Sequence, residues 1–109
     1  MTTEEFAATC GFVPAVAAPA RAVTGVFTGD LLSWAMGRLP ADAAWFTVMG
    51  NVNTIAVAAL TDCACVVLCH GAQLDDEAAA RAAEQEIPVY TTDLPEFDAA
   101  LRLAKLLKL

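Results

Sequence analysis

Small polar residues recur along this chain where strands would end: Thr24-Gly25, Thr28-Gly29-Asp30, Gly50-Asn51-Val52-Asn53, His70-Gly71 and Thr91-Thr92-Asp93. Their hydroxyls, amides and carboxylates can hydrogen-bond a polar ligand. A helix starting after such a loop adds free backbone N–H groups and a positive partial charge, which suit an anion. The same residue types also build turns and caps with no ligand present. Asp30 with Ser33 shows the choice: a carboxylate at a helix start can meet a metal ion or a ribose hydroxyl, or it can cap the helix, and the cap is the favoured reading. The candidate ligand-binding set is Thr24, Gly29, Asp30, Ser33, Thr47, Asn51, Asn53, His70 and Thr92.

His70 is the only histidine, and it follows an apolar run and precedes a glycine. A general acid/base or ligand-touching role is open to it, but a hydrogen-bonded turn histidine is favoured. Cys63, Cys65 and Cys69 followed by His70 invite a metal reading. Zinc knuckles, however, use two to four intervening residues in turns. On a strand, residues i and i+2 stand roughly 6.5–7 Å apart along one face and do not converge on one ion. Small buried thiols are expected instead, with no metal and no cofactor. Neither G-x-x-x-x-G-K-[ST] nor G-x-G-x-x-G occurs, so phosphoryl transfer by a standard loop is unsupported. For Trp34 and Trp45 core packing is the default, with a place in a pocket or an interface open to one of them.

These residues must be held by alternating strands and helices. Thr2 with Glu5 has capping-box spacing and opens a helix to about Thr9, ended by Cys10-Gly11. Phe12-Val13 and Ala22 to Phe27 look extended. Asp30 is expected to cap a helix carrying Leu31, Leu32, Trp34 and Ala35, stopped by Gly37 and Pro40. A strand follows at Ala44 to Val48, then a Gly50-Asn51 turn and a helix from about Asn53 to Leu60. Ala64 to Leu68 is a continuous apolar run, the mark of a strand buried on both faces. Asp75 caps an alanine-rich helix to about Glu86, Pro88 to Tyr90 forms a short strand, and Asp93, with Glu96 three residues on, opens the last helix. That helix would set Leu94, Phe97, Leu101 and Ala104 along one side.

Helices between strands imply βαβ crossovers. The expectation is α/β: a single domain over residues 1–109 with a mostly parallel or mixed four- to five-stranded sheet flanked by helices, the first strand or two pairing antiparallel. Ligands of open α/β sheets bind beyond the carboxyl ends of the strands, which is where the polar loops should gather.

Composition narrows the function classes. Six basic and thirteen acidic residues give a net charge of −7, and the basic ones are scattered, so no nucleic-acid partner is expected. No stretch reaches the roughly 18 apolar residues of a membrane span, and the acidic N-terminus carries no secretion signal, so a cytoplasmic location is expected. Apolar residues make up 58% of the chain, above the usual 45–50% or so, which suggests a well-filled core and leaves room for a buried oligomer face; a homodimer is the expected assembly.

Gly29-Asp30-Leu31-Leu32-Ser33, then Trp45-Phe46-Thr47, Asn53 and Ile55-Ala56-Val57-Ala58, carry a family resemblance. The pattern resembles the stand-alone DRTGG-domain proteins, which are similar to the N-terminal domain of HPr kinase/phosphorylase. It continues through Gly71, Ala82, Ile87-Pro88-Val89, Thr92 and Phe97, covering the chain from about Val23 onward. Two departures stand out. Val23-Thr24-Gly25-Val26 keeps only a T-G pair of the naming motif, and Met49 and Asn51 occupy positions where related proteins carry Gln and His. The resemblance implies a mixed or parallel α/β fold and a regulatory or accessory role beside a partner enzyme. It implies no kinase activity, because in that family the kinase chemistry belongs to a separate P-loop domain.

The favoured function is therefore a non-catalytic, ligand-sensing module that takes an anionic small molecule or nucleotide at the strand carboxyl edge. The alternative is a homodimeric assembly module without a small ligand. An enzyme using His70 with Asp30 or Asp93 ranks below both.

Overall fold

A computed structural model describes the whole chain, Met1–Leu109. In chain order its elements are α1 (Thr3–Cys10), β1 (Val13–Val16), β2 (Gly25–Thr28), α2 (Leu32–Arg38), β3 (Ala43–Thr47), α3 (Val52–Thr61), β4 (Cys65–Leu68), α4 (Asp76–Glu84), β5 (Val89–Thr91) and α5 (Glu96–Leu106). The five strands form one sheet in the order β1-β5-β4-β3-β2. Strands β2 to β5 are parallel, and β1 lies antiparallel against β5. The first strand is thus the antiparallel one, but its partner is the distant β5 and not β2, so the short connection after it does not set its direction.

Side-chain alternation builds a layer on each face of the sheet. Ala44, Phe46, Cys65, Val67 and Tyr90 point to one side and meet Phe6, Phe12, Ala99, Ala100 and Leu103 from α1, its C-terminal turn and α5. Ala43, Trp45, Val66, Leu68 and Val89 point to the other and meet Ala35, Ile55, Ala58, Ala78 and Ala82 from α2, α3 and α4. Central strands β3 and β4 are buried along their whole length, which explains their unbroken apolar sequence. The alanines let α3, α4 and α5 come close, so a short chain fills two layers.

Local signals explain most boundaries. The capping box of α1 is complete: Thr2 N–H donates to Glu5 Oε1 (2.9 Å) and Glu5 N–H to Thr2 Oγ1 (3.2 Å). Asn51, expected in a turn, is the N-cap of α3 and accepts from Thr54 N–H through Oδ1 (3.1 Å). Other expectations need correction. Leu31, not Asp30, is the N-cap of α2, because the Asp30 carboxylate turns toward β3. Pro95, not Asp93, precedes α5. Helix α5 buries Ala99, Ala100 and Leu103 and leaves Phe97 and Leu101 exposed. So many of its positions are apolar that the sequence allows two stripes, and the close approach to β2 and β3 selects the one with small side chains. Trp34 is exposed, its ring lying under the Arg38 guanidinium at 4.5 Å. Trp45 is fully buried.

Candidate functional site

The carboxyl ends of β2, β3, β4 and β5 share one rim because the four strands are parallel neighbours. The loops holding Gly29 and Asp30, Asn51 and Asn53, His70, and Thr92 all start from that rim, and Ser33 lies in the first turn of α2. Thr24 does not join them. It precedes β2, at the amino ends of the strands, and its N–H donates to Asp42 O (3.0 Å).

Two polar clusters form at the rim. In the first, Asp30 reaches across to the end of β3. Its Oδ1 accepts from Thr47 Oγ1 (2.7 Å) and from Val48 N–H (2.9 Å). Thr47 is wholly buried, so Asp30 is the partner that satisfies its hydroxyl proton. Gly29 supports the same loop: its N–H donates to Phe46 O (3.2 Å), and its carbonyl accepts from Trp45 Nε1 (2.9 Å). The indole thus fixes the loop that aims Asp30. From the opposite layer Glu96, in the first turn of α5, brings its carboxyl group beside that of Asp30. Glu96 Oε1 is buried and has no hydrogen-bond partner.

These contacts set the charge states. Burial first, then the neighbouring Asp30 carboxylate, pushes Glu96 up to about 7. Burial also pushes Asp30 upward, but this is outweighed. Hydrogen bonds from Glu96, from Val48 N–H and from the Thr47 hydroxyl, with Coulomb attraction from His70, hold Asp30 below the ordinary carboxylate value. Burial, and then the charges of Glu96 and Asp30, push the Cys69 thiol up to about 12, so it stays protonated and unreactive.

The second cluster surrounds a cleft of about 270 Å³ lined by Gly11, Val13, Gly71, Gln73 and the stretch Thr91 to Leu94. It opens where the antiparallel β1 joins the parallel run and the α1–β1 turn meets the end of β5. His70 stands exposed at its side in a left-handed conformation (φ 56°), and Gly71 follows with φ 71°. Two backbone bonds hold this turn against the next loop: His70 N–H to Leu94 O (2.9 Å) and Gly71 N–H to Thr92 O (3.0 Å). The Thr92 hydroxyl accepts from Leu94 N–H (3.2 Å). Of the sequence-derived set only Thr92 lines the cleft. Ser33 and Asn53 are exposed on first helical turns, and Asn51 is engaged in its cap.

Several contributors were not singled out from sequence as site residues, among them Glu96, Gln73, Gly11 and the Val48 amide. The spacing Asp93-x-x-Glu96 does mark Glu96, but as the second half of a capping box, a role it does not play here. The cysteines also differ from the strand argument. Cys63 precedes β4 and packs on the α2–α4 side, whereas Cys65 and Cys69 pack on the α1–α5 side.

No protein-family model matches the chain, and no curated protein matches it. Among solved structures it is similar to the CBS and DRTGG domains of the regulatory region of Clostridium perfringens pyrophosphatase, a structure complexed with its activator, diadenosine tetraphosphate. The TM-score is 0.71 at 12% sequence identity, over 94% of this chain and 45% of that one. This chain therefore spans less than half the length of its neighbour, and what the two share is a fold, which in the neighbour is part of a regulatory region. No helix of the chain is long and apolar enough to cross a membrane.

Proposed function

We propose that this chain is a non-catalytic regulatory module that senses a small ligand of the nucleotide class at the carboxyl edge of its parallel strands. The observation that carries the reading is the polar cleft beside Gly71 and Thr92, formed where the sheet changes from parallel to antiparallel. A nucleotide activator bound to the regulatory region that shares this fold supports the ligand class.

The charges refine it. Asp30, Asp93 and Glu96 gather near the rim, and His70 is the one basic side chain among its loops. Arg21 is in ion pairs with Asp42 and Asp62, beside the amino ends of the strands. Arg38, Arg81 and Lys105 sit in the last turns of their helices, and the Arg102 guanidinium is engaged by Cys10 O (3.0 Å) at the end of α1. A bare anion therefore gains little here. A nucleoside moiety fits better, with its hydroxyls meeting Asp93 and Thr92 and its phosphates directed to solvent or carried with a divalent cation. The cleft is close to the lower limit of about 300 Å³ for small-molecule sites, a size for one nucleoside moiety.

A thermal-shift series with adenosine, adenine nucleotides and dinucleoside polyphosphates, with and without Mg²⁺, tests the proposal. A ligand at 100 times its Kd adds roughly 2.7 kcal/mol of stability and raises Tm by several degrees. The increase should shrink in Asp93→Asn and Thr92→Val. Absence of any shift across the series would overturn the reading.

One set of features favours a second reading, a homodimeric assembly module. Edge strand β2 pairs only with β3; α5, which packs against it, exposes Phe97, and α2, which follows it in the chain, exposes Trp34 and Met36.

A further inference from the structure

Carboxyl groups from two different layers of the molecule meet at Asp30 and Glu96. Asp30 belongs to the loop leaving β2, and its Oδ1 is bound to Thr47 Oγ1 and Val48 N–H, both at the end of β3. Glu96 stands in the first turn of α5, the helix that lies across β2 and β3 on the other face. Glu96 Oε1 is buried with no partner, and the charged group that acts on Glu96 is another acid, Asp30. Two ionised carboxylates in this position would repel, and an orphaned buried acceptor is costly. One proton removes both problems, because a protonated Glu96 donates to Asp30.

The surroundings provide no counter-charge to Glu96. Just beyond β4 the group facing the pair is the Cys69 thiol, kept neutral by its burial. From the loop after β4, His70 attracts Asp30 and does not act on Glu96. Along its own segment the nearest charged groups are Asp93 and Asp98, both acidic and both exposed. No Lys or Arg is among the charges acting on either carboxyl. The positive end of the α5 dipole favours an ionised Glu96, but this is a partial charge on an eleven-residue helix and does not offset a full neighbouring carboxylate.

We propose that Asp30 and Glu96 form a proton-operated latch joining the loop after β2 to the first turn of α5, closed while one proton lies between them and released when it leaves. Closing moves no covalent bond: the Glu96 hydroxyl donates to an Asp30 oxygen, and opening returns the proton to solvent. The latch is independent of any ligand. Its release does, however, free the turn that directly follows Thr92, Asp93 and Leu94, the wall of the cleft.

The elevated proton affinity of Glu96 fixes the sign. Its folded value of about 7 lies above its ordinary 4.5, so the native state holds the proton more tightly than the unfolded chain. The latch contribution is therefore complete below the unfolded value, declines as pH rises, and is gone above the folded value. Carboxyl carbon NMR of the uniformly labelled chain measures Glu96 directly. Its midpoint is expected near 7 in the natural chain and lower in Asp30→Asn, which removes the repelling charge and leaves only the effect of burial. Glu96→Gln keeps a permanent N–H donor toward Asp30 and should abolish the response.

Amide exchange supplies a readout beyond stability. Ala99 N–H closes the first turn of α5 on Pro95 O (3.0 Å). Its protection factor should fall severalfold between about pH 6 and pH 8 in the natural chain and stay constant in Glu96→Gln. A Glu96 midpoint near 4.5 in the natural chain, or a midpoint unmoved by Asp30→Asn, overturns the latch.

Discussion

At the scale of single residues, the rim is organised by side chains that answer one another across the sheet. Asp30 would serve equally well in a helix cap, and its surroundings in sequence suggest that role. It is drawn to β3 because the buried Thr47 hydroxyl and the Val48 amide lack any other acceptor of comparable strength. Thr47→Val should therefore lose one charge-assisted hydrogen bond, at about 1.5–3 kcal/mol, and release the Asp30 loop. Chemical denaturation measures the cost. Gly50 is bound by a harder constraint. A Cβ at this position would lie 2.1 Å from Gln73 O, and Gly50 O already accepts from Asp75 N–H at 2.8 Å. The loops after β3 and β4 thus touch backbone to backbone. Gly50→Ala must push them apart, with an expected loss of about 1–3 kcal/mol, whereas Gly37→Ala, where a Cβ meets nothing, should be neutral or slightly stabilising.

At the scale of elements, caps separate the two kinds of polar residue that the sequence shows as alike. Asn51 and Asp75 both precede helices, but only Asn51 makes a side-chain cap bond. Asn51→Ala is expected to cost about 1 kcal/mol and Asp75→Ala much less, a contrast that thermal unfolding of the two variants resolves. Strand β4 was legible because burial on both faces leaves an unbroken apolar run, and α1 because its capping box is local in sequence. The partner of β1 was not legible: nothing in Val13 to Val16 distinguishes β5 from β2, and the pairing is decided by which edge the crossovers leave open. The site divides in the same way. His70-Gly71 and Thr92 were visible as a turn and a strand end, since backbone chemistry demands such residues there. Glu96 was not, because its meeting with Asp30 joins residues 66 positions apart and on opposite layers. Thr24 failed for a related reason: a Thr-Gly pair marks a loop without saying at which end of the strand it lies.

At the scale of the whole molecule, the direction of the sheet decides what each edge can do. Every crossover from β2 to β5 steps the same way, so α2, α3 and α4 share one face and β2 is left as a parallel edge strand with unpaired backbone. Strand β1 closes against β5, and the 17–24 segment returns along the amino ends of the strands, where Arg21 is anchored by Asp42 and Asp62. If the assembly reading holds, β2 pairs with the same strand of a second copy about a two-fold axis, and exposed Trp34 and Phe97 lie in the contact. Two such copies each carry a charge of −7 and repel at long range. The association must then rest on apolar surface and backbone pairing, and screening by salt should strengthen it; a contact built on ion pairs would weaken instead. Light scattering after size exclusion is expected to show a mass twice that of one chain, with the dimer more populated at about 1 M salt than at 0.01 M, where the screening length falls from roughly 30 to 3 Å. Phe97→Glu and Trp34→Glu alter exposed positions only, so each should leave the fold intact and give a monomer. A natural chain that runs as a monomer at every salt concentration would rule out the assembly reading while leaving the cleft and its ligand untouched.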